Sequence, residues 1–199
     1  MGFKTLLEKV ESSSVYQEFI KGHSDAELCA GFFILDFLSN DTEQNVSYSV
    51  FPNSSGEFRN NKETLDYKIG EKVFTFSLKD GEIKVGEDKL IEDSGRPQLV
   101  KIDNSVGVDV DELKSLVGVR VLDEGISAKI NKIIAVLQKY DGYGGGNGGE
   151  GGSGGGKQIW NLTCMLDGLI ILNVHVDAES GEILKFDRKS MMDMIQRKD

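Results

Sequence analysis

Two Asp-Gly pairs constrain this chain more than any other feature. Asp80-Gly81 stands between KVFTFSLK and EIKV, and Asp167-Gly168 between KQIWNLTCML and LIILNVHVDA. In each flank apolar and polar residues alternate, which sends successive side chains to opposite faces of a strand. A two-residue connection needs the positive φ that glycine adopts freely, so each pair predicts an antiparallel hairpin. In the second hairpin Trp160, Leu162, Cys164 and Leu166 point one way, and Ile159, Asn161, Thr163 and Met165 the other.

Further strands extend both hairpins. AELCAGFFILDFL over 26–38 reads as a buried strand, because its centre is aromatic and aliphatic and Asn40-Asp41 closes it. VSYSVF and LDYKIG add short strands before the first hairpin, and Pro97 marks an irregular passage to QLVKI. Beyond the second hairpin, Glu179-Ser180-Gly181 turns the chain into EILKFD. GEIKVGEDK at 81–89 and GEILKFDRK at 181–189 share several letters, each after a strand and a turn.

Helical spacing appears in three places. Phe3, Leu6, Leu7 and Val10 form one stripe, and Ser14 with Gln17 predicts a capping box leading into Val15, Tyr16, Phe19 and Ile20. Residues 3–21 are thus one helix or two joined at the serines. Asp109 or Asp111 caps a short helix in DELKSLV. Over 126–140, Ile126, Ile130, Ile133, Ile134 and Leu137 make the clearest stripe of all, predicting a helix. Positions 142–156 then hold 11 of the 24 glycines, a run with no side chains to bury, which predicts a loop between that helix and the next strand. The resulting fold class is α+β, with two helix-plus-antiparallel-sheet units in tandem at 1–103 and 104–199.

Composition narrows function by exclusion. The chain carries 23 Lys+Arg against 33 Asp+Glu, a net charge of −10. That argues against nucleic-acid binding, which needs clustered cations. No run reaches the roughly 18 apolar residues of a membrane span. Glu8, Lys9 and Glu11 interrupt any apolar core of an export signal, so the expected compartment is the cytoplasm. Cys29 and Cys164 both lie in apolar stretches and are expected to be buried free thiols.

The stretch 126–187 resembles a PepSY-like, cystatin-like unit, in which one helix packs across an antiparallel meander. The resemblance is carried by ISAKINKIIAVLQKY, IWNLTCMLDGLIILNVHVD and the closing hairpin with Val176, Asp177, Ala178, Ser180, Gly181, Glu182 and Ile183. It covers about a third of the chain. It implies a non-catalytic module that binds or inhibits a protein partner.

Four candidate sites were weighed against structural roles. Gly151 to Gly156 followed by Lys157 imitates a phosphate-binding loop, but Gln158 offers no hydroxyl to Mg²⁺ and a strand follows, not the helix whose N-terminus would hold the anion. His23 ends the first helical region. His175 lies on a strand face opposite Val174 and Val176, and neither histidine has a nucleophile suggested nearby. Asp103, Asp109, Asp111 and Glu112 lack calcium-loop spacing, and capping explains Asp109 or Asp111. Met191, Met194 and Ile195 line one side of a predicted helix in the tail, within a basic segment (five cations, three anions over 185–199). That stripe docks on the protein's own sheet or forms an interaction surface.

No catalytic, cofactor-binding or metal residue is therefore assigned, and no cofactor. The leading expectation is a protein-interaction or regulatory module that meets a protein partner or another copy of itself through a sheet face or edge, without nucleic acid or membrane. The rival is an enzyme or small-ligand binder with a pocket between curved sheet and helix. A structural subunit of a larger assembly is the third reading.

Overall fold

The computed structural model describes residues 1–37, 63–70, 72–79, 81–89, 99–140 and 156–190. Their order is helix, helix, four strands, helix, four strands. The helices are α1 (Phe3–Ser12), α2 (Ser14–Gly22) and α3 (Leu113–Asp123). The strands are β1 (Glu27–Asp36), β2 (Glu63–Ile69), β3 (Lys72–Lys79), β4 (Glu82–Lys89), β5 (Ile130–Tyr140), β6 (Lys157–Leu166), β7 (Ile170–Asp177) and β8 (Ile183–Ser190). The fold is α+β, two helix-plus-antiparallel-sheet units in tandem.

All eight strands join one sheet, in the order β4-β3-β2-β1-β5-β6-β7-β8. The first strand of each unit lies at the centre, and these two pair antiparallel, with Phe33 opposite Ala135 and Leu35 opposite Ile133. The fourth strand of each unit lies outermost. The similar segments at 81–89 and 181–189 therefore occupy equivalent places at the two ends of the sheet.

The helices cover one face. Phe3, Leu6, Leu7 and Val10 of α1 and Leu113, Val117 and Val121 of α3 share one buried core with Phe33, Leu65, Phe76, Ile133, Leu137, Trp160, Leu162 and Val174. At its middle Phe3, Phe33 and Trp160 meet edge to face at centroid distances of 5.8 to 6.5 Å. The Trp160 indole N–H donates to the Val108 carbonyl at 2.9 Å, which satisfies its buried polar end. Tyr16 and Phe19 of α2 add a second aromatic group against Tyr67 and Phe76.

The largest correction falls on 126–140, where 130–140 form strand β5 and no residue is helical. Its isoleucines fit a helical stripe, yet the same residues satisfy a period of two. Ile133, Ala135 and Leu137 are buried, while Ile134, Val136 and Gln138 are not. Three isoleucines and Val136 favour extended backbone, and pairing on both sides with β1 and β6 outweighs local helical preference. The helix of the second unit lies earlier, at α3, so the glycine-rich segment connects two strands, β5 and β6. The PepSY-like resemblance took its helix from 126–140; here a helix precedes that strand.

Smaller corrections concern caps. Ser13, one residue before the expected Ser14, is the cap of α2: its backbone is extended, and its hydroxyl accepts from the Tyr16 N–H at 3.1 Å. Gln17 instead donates from its side chain to the Glu11 carbonyl. Both expected hairpins form, the first with a two-residue connection and the second with three residues, Asp167, Gly168 and Leu169. Lys79 pairs with Glu82 across the first, where Gly81 has φ +85°; in the second Gly168 has φ +74°, and Leu169 follows at +61°. The expected strand VSYSVF, the Pro97 passage, residues 142–155 of the glycine-rich run and the tail with Met191, Met194 and Ile195 lie outside the described residues.

Candidate functional site

The face of the sheet away from the helices has a different chemistry. Register carries one row across six strands: Thr64, Phe32, Val136, Asn161, His175 and Lys185. The neighbouring row runs Ile34, Ile134, Thr163, Asn173 and Asp187. A third runs Asp36, Lys132, Met165, Ile171 and Lys189. In the first two rows the surface passes from apolar on β1 and β5, through neutral hydrogen-bonding groups on β6 and β7, to charge on β8; the third row begins with the charged Asp36 and Lys132 and carries the apolar Met165 and Ile171 on β6 and β7. Most of these side chains are half-buried, and no described helix lies over them. Lys132 and Asp36 pair at 3.3 Å, and Lys185 and Asp187 at 3.0 Å.

One end of this face is closed by a polar clamp. Asp177 accepts from the Glu179 and Ser180 N–H groups at 2.9 and 3.0 Å and from the Lys157 ammonium at 2.8 Å. Burial alone would raise its pKa. The Lys157 hydrogen bond and the two N–H donors overcome that and hold the carboxyl at about 2, while the same pairing raises Lys157. The clamp fixes the β7–β8 turn, whose Ala178 carbonyl accepts from the Gly107 and Val108 N–H groups. A Cβ at Gly107 would stand 1.9 Å from the Glu179 carbonyl oxygen, so only glycine permits this approach.

Asp109 does more than expected of a cap. Of the two expected caps it is Asp109 that serves: it accepts from the Val110 N–H, and its own N–H donates to the Glu112 carboxylate. Its carboxylate also accepts from the Phe3 N–H at 2.6 Å and the Lys4 N–H at 3.4 Å, so one side chain closes the starts of α1 and of the turn leading to α3. Asp103 lies elsewhere, beside Lys139 at 3.7 Å, and Asp111 is exposed. The acidic set is not brought together, and no group of three metal-ligating side chains exists among the described residues.

The other candidates fall into structural places. Cys29 and Cys164 are buried and free, as expected. Burial pushes each thiol up to about 12, with Asp66 adding to the effect at Cys29, which leaves neither as a thiolate nucleophile near neutral pH. His23 packs on the rings of Phe19 and Phe74. His175 stands on the helix-free face with its ring against Tyr140; burial, then the Lys185 charge, lowers its pKa, and Asp187 acts the other way. Lys157, the lysine of the phosphate-loop imitation, opens β6 and is engaged by Asp177. Sequence reading missed the Asp177 clamp, although Asp followed by Ser and Gly at a turn signals a side chain that accepts turn N–H groups. Gly107 gave no such signal, because its requirement comes from a carbonyl 72 residues away.

No protein-family model matches this chain, and no curated protein matches it. Among solved structures it is similar to a candidate lipoprotein from Clostridium difficile 630, at 10% identity and a TM-score of 0.49, over 88% of this chain and 90% of that one. No described helix is long and apolar enough to cross a membrane.

Proposed function

We propose that this protein is a non-catalytic interaction module that binds a protein partner with the helix-free face of β1 and β5 to β7. The observation that supports the reading is the grading of that face. Phe32, Ile34, Ile134 and Val136 form an apolar strip beside Asn161, Thr163, Asn173 and His175. Apolar groups set among neutral hydrogen-bonding side chains, with charge at the margin, have the make-up of a non-obligate protein interface.

The test uses a photo-crosslinking residue at Thr163 in the full chain, expressed in its native host. The expected result is a protein adduct of defined mass that disappears when Ile134→Lys is added. The same probe at Glu8, on the helical side, serves as the control. Adducts of equal pattern from both positions, or adducts indifferent to Ile134→Lys, would refute the reading. Circular dichroism of each variant establishes that the fold is intact.

A further inference from the structure

We propose that the outer edge of β8 pairs antiparallel with β8 of a second copy, closing a two-fold dimer whose sheet runs through both molecules. This goes beyond the partner-binding face and does not depend on it. Among the described strands β8 has a neighbour on one side, β7. The far side of such a strand offers backbone donors and acceptors to another strand, which proteins block or use.

The order of charges on β8 favours use. Lys185, Asp187 and Lys189 share the helix-free face, and Phe186 and Arg188 the other. In an antiparallel self-pair centred on Phe186, Lys185 of each copy stands opposite Asp187 of the other, and the two Phe186 side chains meet at the two-fold axis. Lys185 and Asp187 already lie 3.0 Å apart within one strand, each about half exposed, so they exchange partners across the axis without being drawn out of a core. Other registers are worse. Centring on Asp187 sets Asp against Asp and Lys185 against Lys189. Centring on Lys185 or Arg188 sets a cation against itself. Like charges directly opposite are destabilising and opposite charges favourable, so one register is selected.

The other outer strand has a charge-matched register, centred on Gly86 with Lys84 opposite Asp88, but it has no side chain at the axis, where β8 brings two Phe186 residues together. On β4, centring on Lys84 opposes like charges, and centring on Val85 sets Lys84 against the side-chain-less Gly86. Centring on Ile83 matches Glu82 with Lys84, but the turn at Gly81 leaves almost no strand beyond. What favours β8 over β4 is therefore the apolar Phe186 pair at the axis in addition to the matched charges. A register shift between His175 and Val176, opposite Lys185 and Ile183, shortens the regular stretch, so the contact is small and the dimer weak.

Sedimentation equilibrium on the full chain from about 10 μM to about 500 μM spans the range for such a contact. The mass is expected to rise from 21.9 kDa toward twice that value. Asp187→Lys alone and Lys185→Asp alone should each weaken dimerisation roughly tenfold to a hundredfold, because two reciprocal attractions become two repulsions. The double swap Lys185→Asp with Asp187→Lys should restore it, and Lys84→Glu on β4 should leave it unchanged. A wild-type chain that stays monomeric throughout overturns the proposal, as does a dimer that Asp187→Lys leaves intact. Because the double variant regains the pairing, loss in a single variant is separated from misfolding.

Discussion

The two halves of this sheet are built to one plan and finished differently. In each, a helix precedes four strands, the first strand pairs at the centre and the fourth lies outermost. Yet the helix-free face of the first half carries Thr64, Thr75 and Ser77, all buried, whereas the matching face of the second half carries Asn161, Thr163, Asn173 and His175, all half-buried. The helical sides differ too. The first half packs two helices with Tyr16, Phe19, Tyr67, Phe74 and Phe76, and the second packs one helix on aliphatic residues around Trp160. Backbone order therefore follows from alternation and turns, which the halves share. Surface chemistry follows from which side chains fill the outward positions, which they do not share. The proposed partner surface lies in the half with accessible hydrogen-bonding groups.

If the halves form one cooperative unit, the residue joining them should be costly to remove. Phe33 on β1 belongs to the first half and touches Phe3 and, across the centre, Trp160 of the second. It is fully buried. Phe33→Ala is expected to destabilise by about 3–5 kcal/mol, through lost transfer energy and the cavity left behind. Chemical denaturation followed by Trp160 fluorescence and by circular dichroism checks this. A single transition shared by both probes is expected in the native chain. A wild-type chain whose Trp160 signal moves separately from its secondary structure would show that the halves are independent.

Acid should act on the second half first. The Asp177 carboxyl is held at about 2, below its ordinary 3.8, so it binds a proton less readily in the fold than in the unfolded chain. Its contribution is then complete above pH 3.8 and is lost as pH falls from there through about 2. Asp177→Asn can still accept the turn N–H groups but gives up the charge that engages Lys157. We expect a modest loss of stability at neutral pH, smaller than for a fully buried pair because Lys157 is half exposed. The gap between wild type and variant should narrow below pH 3.8. A gap that stays constant down to pH 2 would show that the Lys157 pairing is not its cause.

Much of this was legible in the residues before any coordinates. Strand alternation set Trp160, Leu162 and Cys164 on the face opposite Asn161 and Thr163, and His175 opposite Val174 and Val176, and the Asp-Gly pairs located both hairpins. Asp109 was legible as a local cap, but its bonds to Phe3 and Lys4 were not, since they join positions more than a hundred residues apart. The failure at 126–140 has the same origin. ISAKINKIIAVLQKY fits two periods, and what selects the strand is pairing with β1 and β6, a tertiary fact. Conversely α3 contains Val117, Val119, Val121 and Gly118, poor helix formers, and leaves Val119 and Leu122 exposed, so its full extent was hidden while its capped start was visible. The candidate surface was legible only as outward positions on single strands; their assembly into rows required the register.

The finest comparison sets Gly81 against Gly181. Both begin the outermost strand of their half, both have left-handed backbone (φ +85° and +77°), and both follow from the same GEI letters. An alanine at either position must adopt a φ that costs about 1 kcal/mol. At Gly81 nothing lies within 4 Å of the added Cβ, so Gly81→Ala should show that backbone cost alone. At Gly181 the Cβ would meet the Val108 side chain at 3.0 Å and the Leu116 side chain at 3.7 Å, so Gly181→Ala should cost measurably more, by several tenths of a kcal/mol to about 1 kcal/mol. Paired denaturation curves measure the difference. Equal losses would mean that Val108 gives way freely, and with it that the segment leading into α3 is not packed tightly against the β7–β8 turn. A larger loss at Gly181 would show that the segment leading into α3 is packed closely on this turn, where the Ala178 carbonyl already accepts from the Gly107 and Val108 N–H groups.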